Sequence, residues 1–227
     1  MARKTPTRRA LQAVAYEVFR SRPLAEMLFG VKFRPVGRDF YYFDTTTYVT
    51  TRRVQRSLTA NNTVVDMGTG TAAAVGLYVW KNIGCRVISV DINPTMVQMS
   101  TESVKLNHAP IQVIQSSFFD NVKEPFDTVI FNPPYVPTNV GLDRQLSDAT
   151  RSQWDGGPAG TDVIHGFLDA VAALPHEVTV YMGINDWHVG QKEIFASLRE
   201  RGLILEEVTK PSVLPVYVYV FKNNLKK

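Results

Sequence analysis

Val64-Val-Asp-Met-Gly-Thr-Gly-Thr71 joins a short apolar strand to a glycine turn. The run from Thr63 to Met67 predicts a buried strand, and the stretch from Ala72 to Trp80 predicts a helix directly after the turn. Glycine adopts backbone conformations that other residues avoid, so Gly68 and Gly70 let the main chain approach a ligand closely. A strand, a turn and a helix in this order indicate the first unit of an α/β sheet.

The strand–helix alternation continues through the rest of the chain. Further strands are predicted at Cys85–Val90, Ile111–Gln115, Thr128–Phe131, Val178–Gly183, Leu203–Val208 and Val213–Phe221. Further helices are predicted at Pro94–Asn107, Thr161–Leu174 and Val189–Arg201. The segment from Val136 to Gly160 is predicted to be a loop. This order favours a Rossmann-like, doubly wound sheet of seven strands, mostly parallel with a C-terminal antiparallel strand.

The composition is that of an ordinary globular protein, with 44% hydrophobic and 20% charged residues. No apolar run approaches the length of a membrane span. The single cysteine, Cys85, excludes an internal disulfide and favours a reducing, cytoplasmic compartment, and its apolar neighbours predict a core position. With four histidines and no clustered ligand spacing, no metal site is expected. The net charge of +4 mildly favours acidic partners, including RNA.

The N-terminal part predicts a short helical extension, residues 1–43, ahead of a domain that covers residues 44–227. The basic residues within 1–9 predict a solvated tail. The apolar stripe from Leu11 to Phe19 predicts a helix, and a second short helix is predicted from Leu24 to Phe29.

A further helix is expected to begin at Asp44-Thr-Thr-Thr47, because short oxygen-bearing side chains cap exposed backbone N–H groups. It would run to about Leu58 and carry Arg52, Arg53 and Arg56 on a polar face. A solvated face and a contact surface for nucleic acid or the ribosome are both open interpretations of these arginines.

The acids around the glycine turn indicate the kind of ligand. Asp66 precedes the two glycines, and Asp91 follows at the end of the second strand, where an acid can bind ribose hydroxyls. A nicotinamide site would normally carry a third glycine, but Ala73 stands at that position. An acid at the turn repels phosphate and attracts a cation. S-adenosylmethionine (SAM) carries a sulfonium and an ammonium group and no phosphate, so it fits this pattern.

Asn132-Pro-Pro-Tyr135 follows the predicted strand Thr128–Phe131. Proline lacks an N–H and fixes φ, so the chain must leave the sheet there and place Asn132 at the carboxyl end of the strand. The amide oxygen of Asn132 and the carbonyl of Pro133 are two acceptors, and Tyr135 adds a flat aromatic face. This combination suits a planar NH₂ group, such as a carboxamide or the exocyclic amine of a base.

Residues 44–221 resemble a class I SAM-dependent methyltransferase of the Asn-Pro-Pro-Tyr subgroup. Within it they resemble the glutamine-N5 methyltransferases that modify peptide-chain release factors, in particular the compact archaeal and eukaryotic members. The resemblance rests on four segments: Val64-Val-Asp-Met-Gly-Thr-Gly-Thr71, Val90-Asp-Ile-Asn-Pro94, Phe131-Asn-Pro-Pro-Tyr-Val136 and Trp154-Asp-Gly-Gly-Pro-Ala-Gly160. Asp44-Thr45 also resembles an Asp-Thr pair that precedes the first motif in the family.

The resemblance implies direct transfer of a methyl group from SAM to a planar nitrogen, without a metal. Catalysis would fall to Asn132, Pro133 and Tyr135. The cofactor would be bound by Asp66, Gly68, Thr69, Gly70, Asp91, Ile92, Ser117, Phe118 and Asn132. The substrate would be bound by Asn132, Pro133, Pro134, Tyr135 and Thr45. Ser117 stands where the family often has an acid that contacts adenine.

The substrate expected from the resemblance is the side-chain amide of a protein glutamine, in a release factor for example. One alternative is an exocyclic amino group of RNA or DNA, adenine N6 or guanine N2, and another is a small molecule or peptide. A SAM-binding scaffold without turnover is a third reading, which the intact Asn-Pro-Pro-Tyr motif disfavours. The expected partners are thus a protein substrate or RNA. A small activator subunit is compatible with this expectation, and no membrane contact is expected.

Overall fold

The computed structural model describes residues 17–37, 39–143, 150–211 and 214–224, and these carry one seven-stranded sheet. The strands are β1 (Thr63–Met67), β2 (Arg86–Asp91), β3 (Gln112–Gln115), β4 (Thr128–Phe131), β5 (Thr179–Asn185), β6 (Ile204–Thr209) and β7 (Val216–Lys222). Their order across the sheet is β3-β2-β1-β4-β5-β7-β6.

Eight helices of the described residues connect or precede these strands. They are α1 (Arg22–Phe29), α2 (Thr45–Val54), α3 (Ala74–Ile83), α4 (Pro94–Leu106), α5 (Thr138–Asp143), α6 (Arg151–Trp154), α7 (Asp162–Ala172) and α8 (Gln191–Glu200). Residues 17–20 are also helical.

The sheet is mixed. Strands β1 to β5 pair in parallel, while β7 pairs antiparallel with both β5 and β6. This confirms the predicted doubly wound sheet, mostly parallel with an antiparallel strand near the C-terminus. The two final strands form the antiparallel pair that the alternating apolar residues of the C-terminal segment predict.

The topology brings the two sequence motifs side by side. From β1 the chain passes to β2 on one side, whereas β4 pairs with β1 on the other side. Met67 at the end of β1 lies in register with Phe131 at the end of β4. The glycine turn and Asn132 therefore leave neighbouring strands at the same edge, which is where ligands bind in open α/β sheets.

Most predicted boundaries lie within three residues of the observed ones, and β1 and β4 match their predictions. Helix α3 begins two residues later than predicted, because Ala73 takes a left-handed conformation (φ 51°) and cannot belong to the helix. The predicted loop 136–160 is wrong in part, since it contains α5 and α6. Both helices are short, so periodicity gives little sign of them.

The described part of the N-terminal extension packs into the core of the domain. Phe29 and Phe33 share one buried hydrophobic cluster with Tyr42 and with Tyr78 of α3. The rings of Phe29 and Tyr78 meet edge to face, with centroids 6.1 Å apart. The basic tail and most of the first predicted helix lie outside the described residues, and the division of the chain at residue 44 stays a prediction.

The arginines of α2 are used within the fold. Arg52 donates to the Tyr78 hydroxyl at 2.7 Å, and Arg53 forms an ion pair with Glu207 on β6. Arg56 is exposed. Arg52 and Arg53 are thus held by partners from distant elements of the chain, and the two interpretations of this helix face stay open.

The fold also bears on membrane contact and metal binding. No helix within the described ranges combines the length and apolar character that crossing a membrane requires. In the same part of the chain, no group of three or more His, Cys, Asp or Glu side chains is arranged to hold a metal ion. Cys85 is buried and free, as its apolar neighbours predict.

Candidate active site

A cavity of about 290 Å³ opens at the carboxyl edge of the sheet, between the ends of β1, β2 and β4. All nine residues predicted to bind the cofactor line it: Asp66, Gly68, Thr69, Gly70, Asp91, Ile92, Ser117, Phe118 and Asn132. Pro134 lines it as well. The structure therefore brings the glycine turn and the Asn-Pro-Pro-Tyr motif into one site, and what these residues bind stays a prediction.

The glycine turn after β1 is tight, because the residues around it leave no room for side chains. Gly68 has φ 64°, and a Cβ there would lie 2.9 Å from the ring of Phe131. Gly76 in α3 is equally confined, since a Cβ would lie 2.9 Å from Asp66 Oδ2. The missing side chains thus let α3 and the turn close around the Asp66 carboxylate.

Asp66 is buried at the floor of the cavity. Its Oδ2 accepts hydrogen bonds from Thr69 Oγ1 at 2.6 Å, from the Gly76 N–H at 3.0 Å and from Ser89 Oγ at 3.4 Å. Burial raises the pKa of Asp66 to about 6, and these hydrogen bonds only partly offset that effect. A cationic ligand beside it would favour the ionised form.

Asp91 ends β2 and links the turn to the next helix. Its Oδ2 accepts from the Gly70 N–H at 2.9 Å, and its Oδ1 accepts from the Asn93 N–H at 2.9 Å. Burial raises the pKa of Asp91, and the backbone donors oppose the shift. The carboxylate is thereby held rigidly at the cavity wall, where the sequence predicts a contact with ribose hydroxyls.

Asn132 presents an acceptor to the cavity. Its Nδ2 donates to Asp44 Oδ1 at 3.2 Å and to Thr47 Oγ1 at 3.0 Å. A carboxylate can only accept, so the amide nitrogen must face Asp44, and this fixes the orientation of the side chain. The amide oxygen Oδ1 is then left buried without a hydrogen-bond partner among the described residues. A buried acceptor of this kind can take a donor from a ligand or from water.

The N-terminus of α2 is placed by its own cap and by a glycine. Asp44 caps the helix by accepting from the Thr47 N–H at 2.6 Å. A Cβ on Gly183 of β5 would lie 2.2 Å from Thr50 Oγ1 and 2.7 Å from Thr46 Cγ2. The absence of a side chain at Gly183 therefore lets α2 pack closely on β5 and brings Asp44 and Thr47 to Asn132.

Tyr135 is fixed through its hydroxyl, which lies 2.9 Å from Thr46 Oγ1. Burial, and then the nearby Asp44 charge, raise the pKa of Tyr135 well above its ordinary value, so the phenol stays neutral. Tyr135 does not line the cavity, and its predicted stacking on a substrate stays a prediction.

The segment from Trp154 to Gly160 supports the backbone of the Asn-Pro-Pro-Tyr motif. The Val136 N–H donates to the Trp154 carbonyl at 2.8 Å, and the Gly156 N–H donates to the Val136 carbonyl at 3.0 Å. A Cβ on Gly160 (φ 81°) would lie 2.6 Å from the Tyr135 carbonyl oxygen. The glycines here are needed because two backbone segments lie in direct contact.

Two further predicted site residues are not among those that line the cavity. Pro133 is buried, and neither it nor Thr45 lines the cavity. Thr45 is the first residue of α2, and successive helical side chains point about 100° apart. Its neighbours Thr46 and Thr47 contact Tyr135 and Asn132, and substrate binding by Thr45 stays a prediction.

Several residues that line the cavity have no site role predicted from the sequence. They are Tyr41, Tyr42, Phe43, Thr47, Thr50 and Gln153, together with other small or apolar residues. The aromatic run before Asp44 and the threonine-rich start of α2 were visible signals. Gln153 gave no signal, because it lies in a segment predicted to be a loop.

The lining fits SAM. Asp66, Asp91 and Asp155 contribute carboxylates to the cavity, and none of the described residues that line it is a lysine or an arginine. Such a lining favours a cation and disfavours a phosphate. The acids around the glycine turn suit a ligand that carries a sulfonium and an ammonium group.

Known proteins with similar sequences are methyltransferases. Residues 42–149 match the family described as the methyltransferase small domain. A putative protein N5-glutamine methyltransferase of Methanocaldococcus jannaschii is 30% identical over 146 residues, which cover 64% of this chain and 73% of the relative. A release factor glutamine methyltransferase of Moorella thermoacetica is 31% identical over 117 residues, which cover 49% of this chain and 41% of the relative. The chain thus spans less than half the length of that bacterial relative.

Solved structures agree on the fold. A methyltransferase from Pyrococcus furiosus is 16% identical, and the similarity covers 96% of this chain and 98% of that one with a TM-score of 0.60. At this identity the likeness concerns the fold alone. Taken with the sequence relatives and the cavity, it leads to one assignment. The chain belongs to the family of SAM-dependent methyltransferases that includes these protein N5-glutamine methyltransferases, and SAM is its cofactor.

Proposed function

We propose that this enzyme methylates the side-chain amide nitrogen of a glutamine in a protein substrate, such as a peptide-chain release factor. The observation that carries the proposal is the buried, unpartnered Oδ1 of Asn132, a residue that lines the cavity and whose amide nitrogen is held by Asp44 and Thr47. The names of the Methanocaldococcus and Moorella relatives support glutamine as the substrate.

The chemistry asks the protein to orient a weak nucleophile. SAM supplies an electrophilic methyl group on its sulfonium, whereas the lone pair of an amide nitrogen is delocalised into the carbonyl. Asn132 Oδ1 would accept one N–H of the substrate amide, and the carbonyl of Pro133 would accept the other. Two fixed acceptors restrict the rotation of the NH₂ group and direct its nitrogen into the cavity. Such orientation can supply several kcal/mol of the barrier reduction.

The same acceptors favour the transition state over the ground state. In the transfer, the bond between the sulfonium and the methyl group would break, S-adenosylhomocysteine would leave, and the methylated nitrogen would then lose one proton to solvent. Until that proton is lost, the hydrogens on the nitrogen are more positive, so hydrogen bonds to Asn132 Oδ1 and to the Pro133 carbonyl would strengthen. The Asn132 amide does not need to reorganise, because its nitrogen already donates to Asp44 and Thr47. Loss of one such preorganised group typically costs about 10²- to 10³-fold in kcat.

The test is a methyl-transfer assay with labelled SAM and three substrates: a peptide that contains Gly-Gly-Gln, the same peptide with Glu in place of Gln, and RNA. We expect label on the glutamine peptide only, located by mass spectrometry on the side-chain amide. Transfer to RNA with none to either peptide would contradict the glutamine assignment and favour the exocyclic amine of a base. The Glu peptide should receive no label, because a carboxylate lacks the NH₂ group that Asn132 would hold.

A further inference from the structure

Gln153 lies over the glycine turn and lines the cavity. Its Nε2 is 3.3 Å from the position that a Cβ on Gly70 would occupy, so its carboxamide packs against the backbone of the turn. Its Oε1 is buried and has no hydrogen-bond partner in the described part of the chain. It therefore repeats, on the other side of the cavity, the unpartnered acceptor that Asn132 presents.

The short helix α6 holds Gln153 in place. Asn93 Nδ2 donates to Ser152 Oγ at 3.0 Å, and the Trp154 carbonyl accepts from the Val136 N–H at 2.8 Å. Both neighbours of Gln153 in the chain are thus tied to other segments. The position of its side chain over the turn follows from these contacts and not from a partner of its own.

The surroundings of Gln153 point to one part of the ligand. Gly70, which Gln153 covers, donates its N–H to Asp91, and Asn93, which binds Ser152, donates its N–H to the same carboxylate. Asp91 is the residue expected to bind ribose hydroxyls. A buried carbonyl oxygen in this position is unfavourable until a donor reaches it.

We propose that Gln153 is a further cofactor-binding residue, whose Oε1 accepts a hydrogen bond from a ribose hydroxyl of SAM bound beside Asp91. The proposal rests on SAM binding and is independent of the methylated substrate. It therefore stands or falls separately from the assignment of glutamine.

The test is the dissociation constant for SAM, measured by isothermal titration calorimetry on the purified chain, for Gln153→Met. Methionine has a similar length and helix propensity but lacks the acceptor. We expect SAM to bind about tenfold more weakly. The matched control is Gln98→Met on the exposed side of α4, which makes the same chemical change and should leave the affinity unchanged.

A second ligand and a second measurement make the test specific. Methylthioadenosine keeps the ribose but lacks the amino-acid end, so Gln153→Met should weaken its binding as much as that of SAM. The free energy of unfolding without ligand should stay the same or rise, because the variant removes an unpartnered buried acceptor. The proposal would be overturned if the variant bound SAM with unchanged affinity, or if binding weakened for SAM but not for methylthioadenosine. A variant that loses stability or fails to fold would also overturn it.

Discussion

The two sides of the cavity are each built around a carboxylate, and they differ in how far along the chain the partners lie. Asp66 takes its hydrogen bonds from Thr69, Gly76 and Ser89, all within one strand–helix–strand unit. Asp44 reaches Asn132, which is 88 residues away. The side around Asp66, predicted to bind the cofactor, is built from residues close in the chain, whereas the side around Asp44 and Asn132, proposed to bind the substrate amide, exists only when α2 packs across the sheet.

This difference teaches which defects should separate cofactor binding from methyl transfer. A change on the Asp44–Asn132 side should lower the rate of transfer and leave SAM affinity nearly intact. A change at Asp66 should act on SAM affinity first. The following predictions test that separation, from the largest expected effect to the smallest.

The largest effect is expected from Asn132→Ala. Removal of the fixed acceptor should lower kcat about 10²- to 10³-fold, because the substrate NH₂ group loses its orientation. The dissociation constant for SAM should change less than about threefold. Steady-state kinetics and calorimetry measure the two quantities. Asn139→Ala on exposed α5 is the control, and full turnover by Asn132→Ala would remove Asn132 from the mechanism.

Gly183→Ala should separate the two sides through packing. The new Cβ would lie 2.2 Å from Thr50 Oγ1, so α2 must shift and carry Asp44 and Thr47 away from Asn132. Overpacking of this kind costs about 1–3 kcal/mol, to be measured by urea unfolding, and kcat should fall more than SAM affinity.

Gly190→Ala is the matched control, since nothing lies within 4 Å of its added Cβ and its φ is ordinary. Equal stability of the two glycine variants would contradict the tight packing of α2 on β5.

SAM affinity should rise with pH on the Asp66 side. The pKa of Asp66 is raised to about 6, so near pH 5 most of this carboxyl is protonated and cannot attract a cation. We expect binding about tenfold weaker at pH 5 than at pH 7, measured by calorimetry, and a flatter profile in Asp66→Asn.

The same raised pKa has a consequence for folding. Between the ordinary value of 3.8 and about 6, the folded chain binds more protons at Asp66 than the unfolded chain does. Asp66 therefore lowers the free energy of unfolding as pH rises through that window.

For ligand binding, a SAM affinity that falls between pH 5 and pH 7 would contradict the prediction that Asp66 binds a cationic ligand.

The smallest effect is expected from Thr47→Val. The substitution keeps the shape of the side chain but removes one of two acceptors for Asn132 Nδ2. We expect kcat to fall about fivefold with SAM affinity unchanged, as the loss of about 1 kcal/mol of hydrogen bonding implies. Thr45→Val is the comparison variant, because the contacts of Asn132 Nδ2 are made by Asp44 and Thr47; a larger loss at Thr45 would support its predicted role in substrate binding and contradict the role given to Thr47.

The side of the cavity around Asp66 and the glycine turn can be predicted closely from the sequence. Strand β1 ends at Met67 and strand β4 at Phe131, as the apolar runs indicate, and the residues from Asp66 to Gly70 line the cavity. Continuous apolar runs, glycine turns and prolines act over a few residues, so local sequence carries them.

For the side around Asp44 and Asn132, the sequence indicates the individual residues but not the hydrogen bonds between them. The sequence indicated Asn132 as an acceptor and Asp44 as a helix cap, but nothing local indicated that one holds the other. Gln153 lies in a segment predicted to be a loop, and the sequence does not indicate that Thr47 contacts Asn132. Neighbouring threonines look alike in a sequence, and only the packed orientation of α2 tells them apart.

The sequence by itself determined the order of strands and helices, the glycine turn with its two acids, and the strand that stops at Asn132, because backbone sterics and hydrophobic periodicity act between near neighbours. Only the tertiary structure decided which way the Asn132 amide faces and which side chains surround the cofactor cavity. Those choices depend on contacts between segments far apart in the chain, where α2 meets β5 at Gly183 and reaches Asn132 through Asp44.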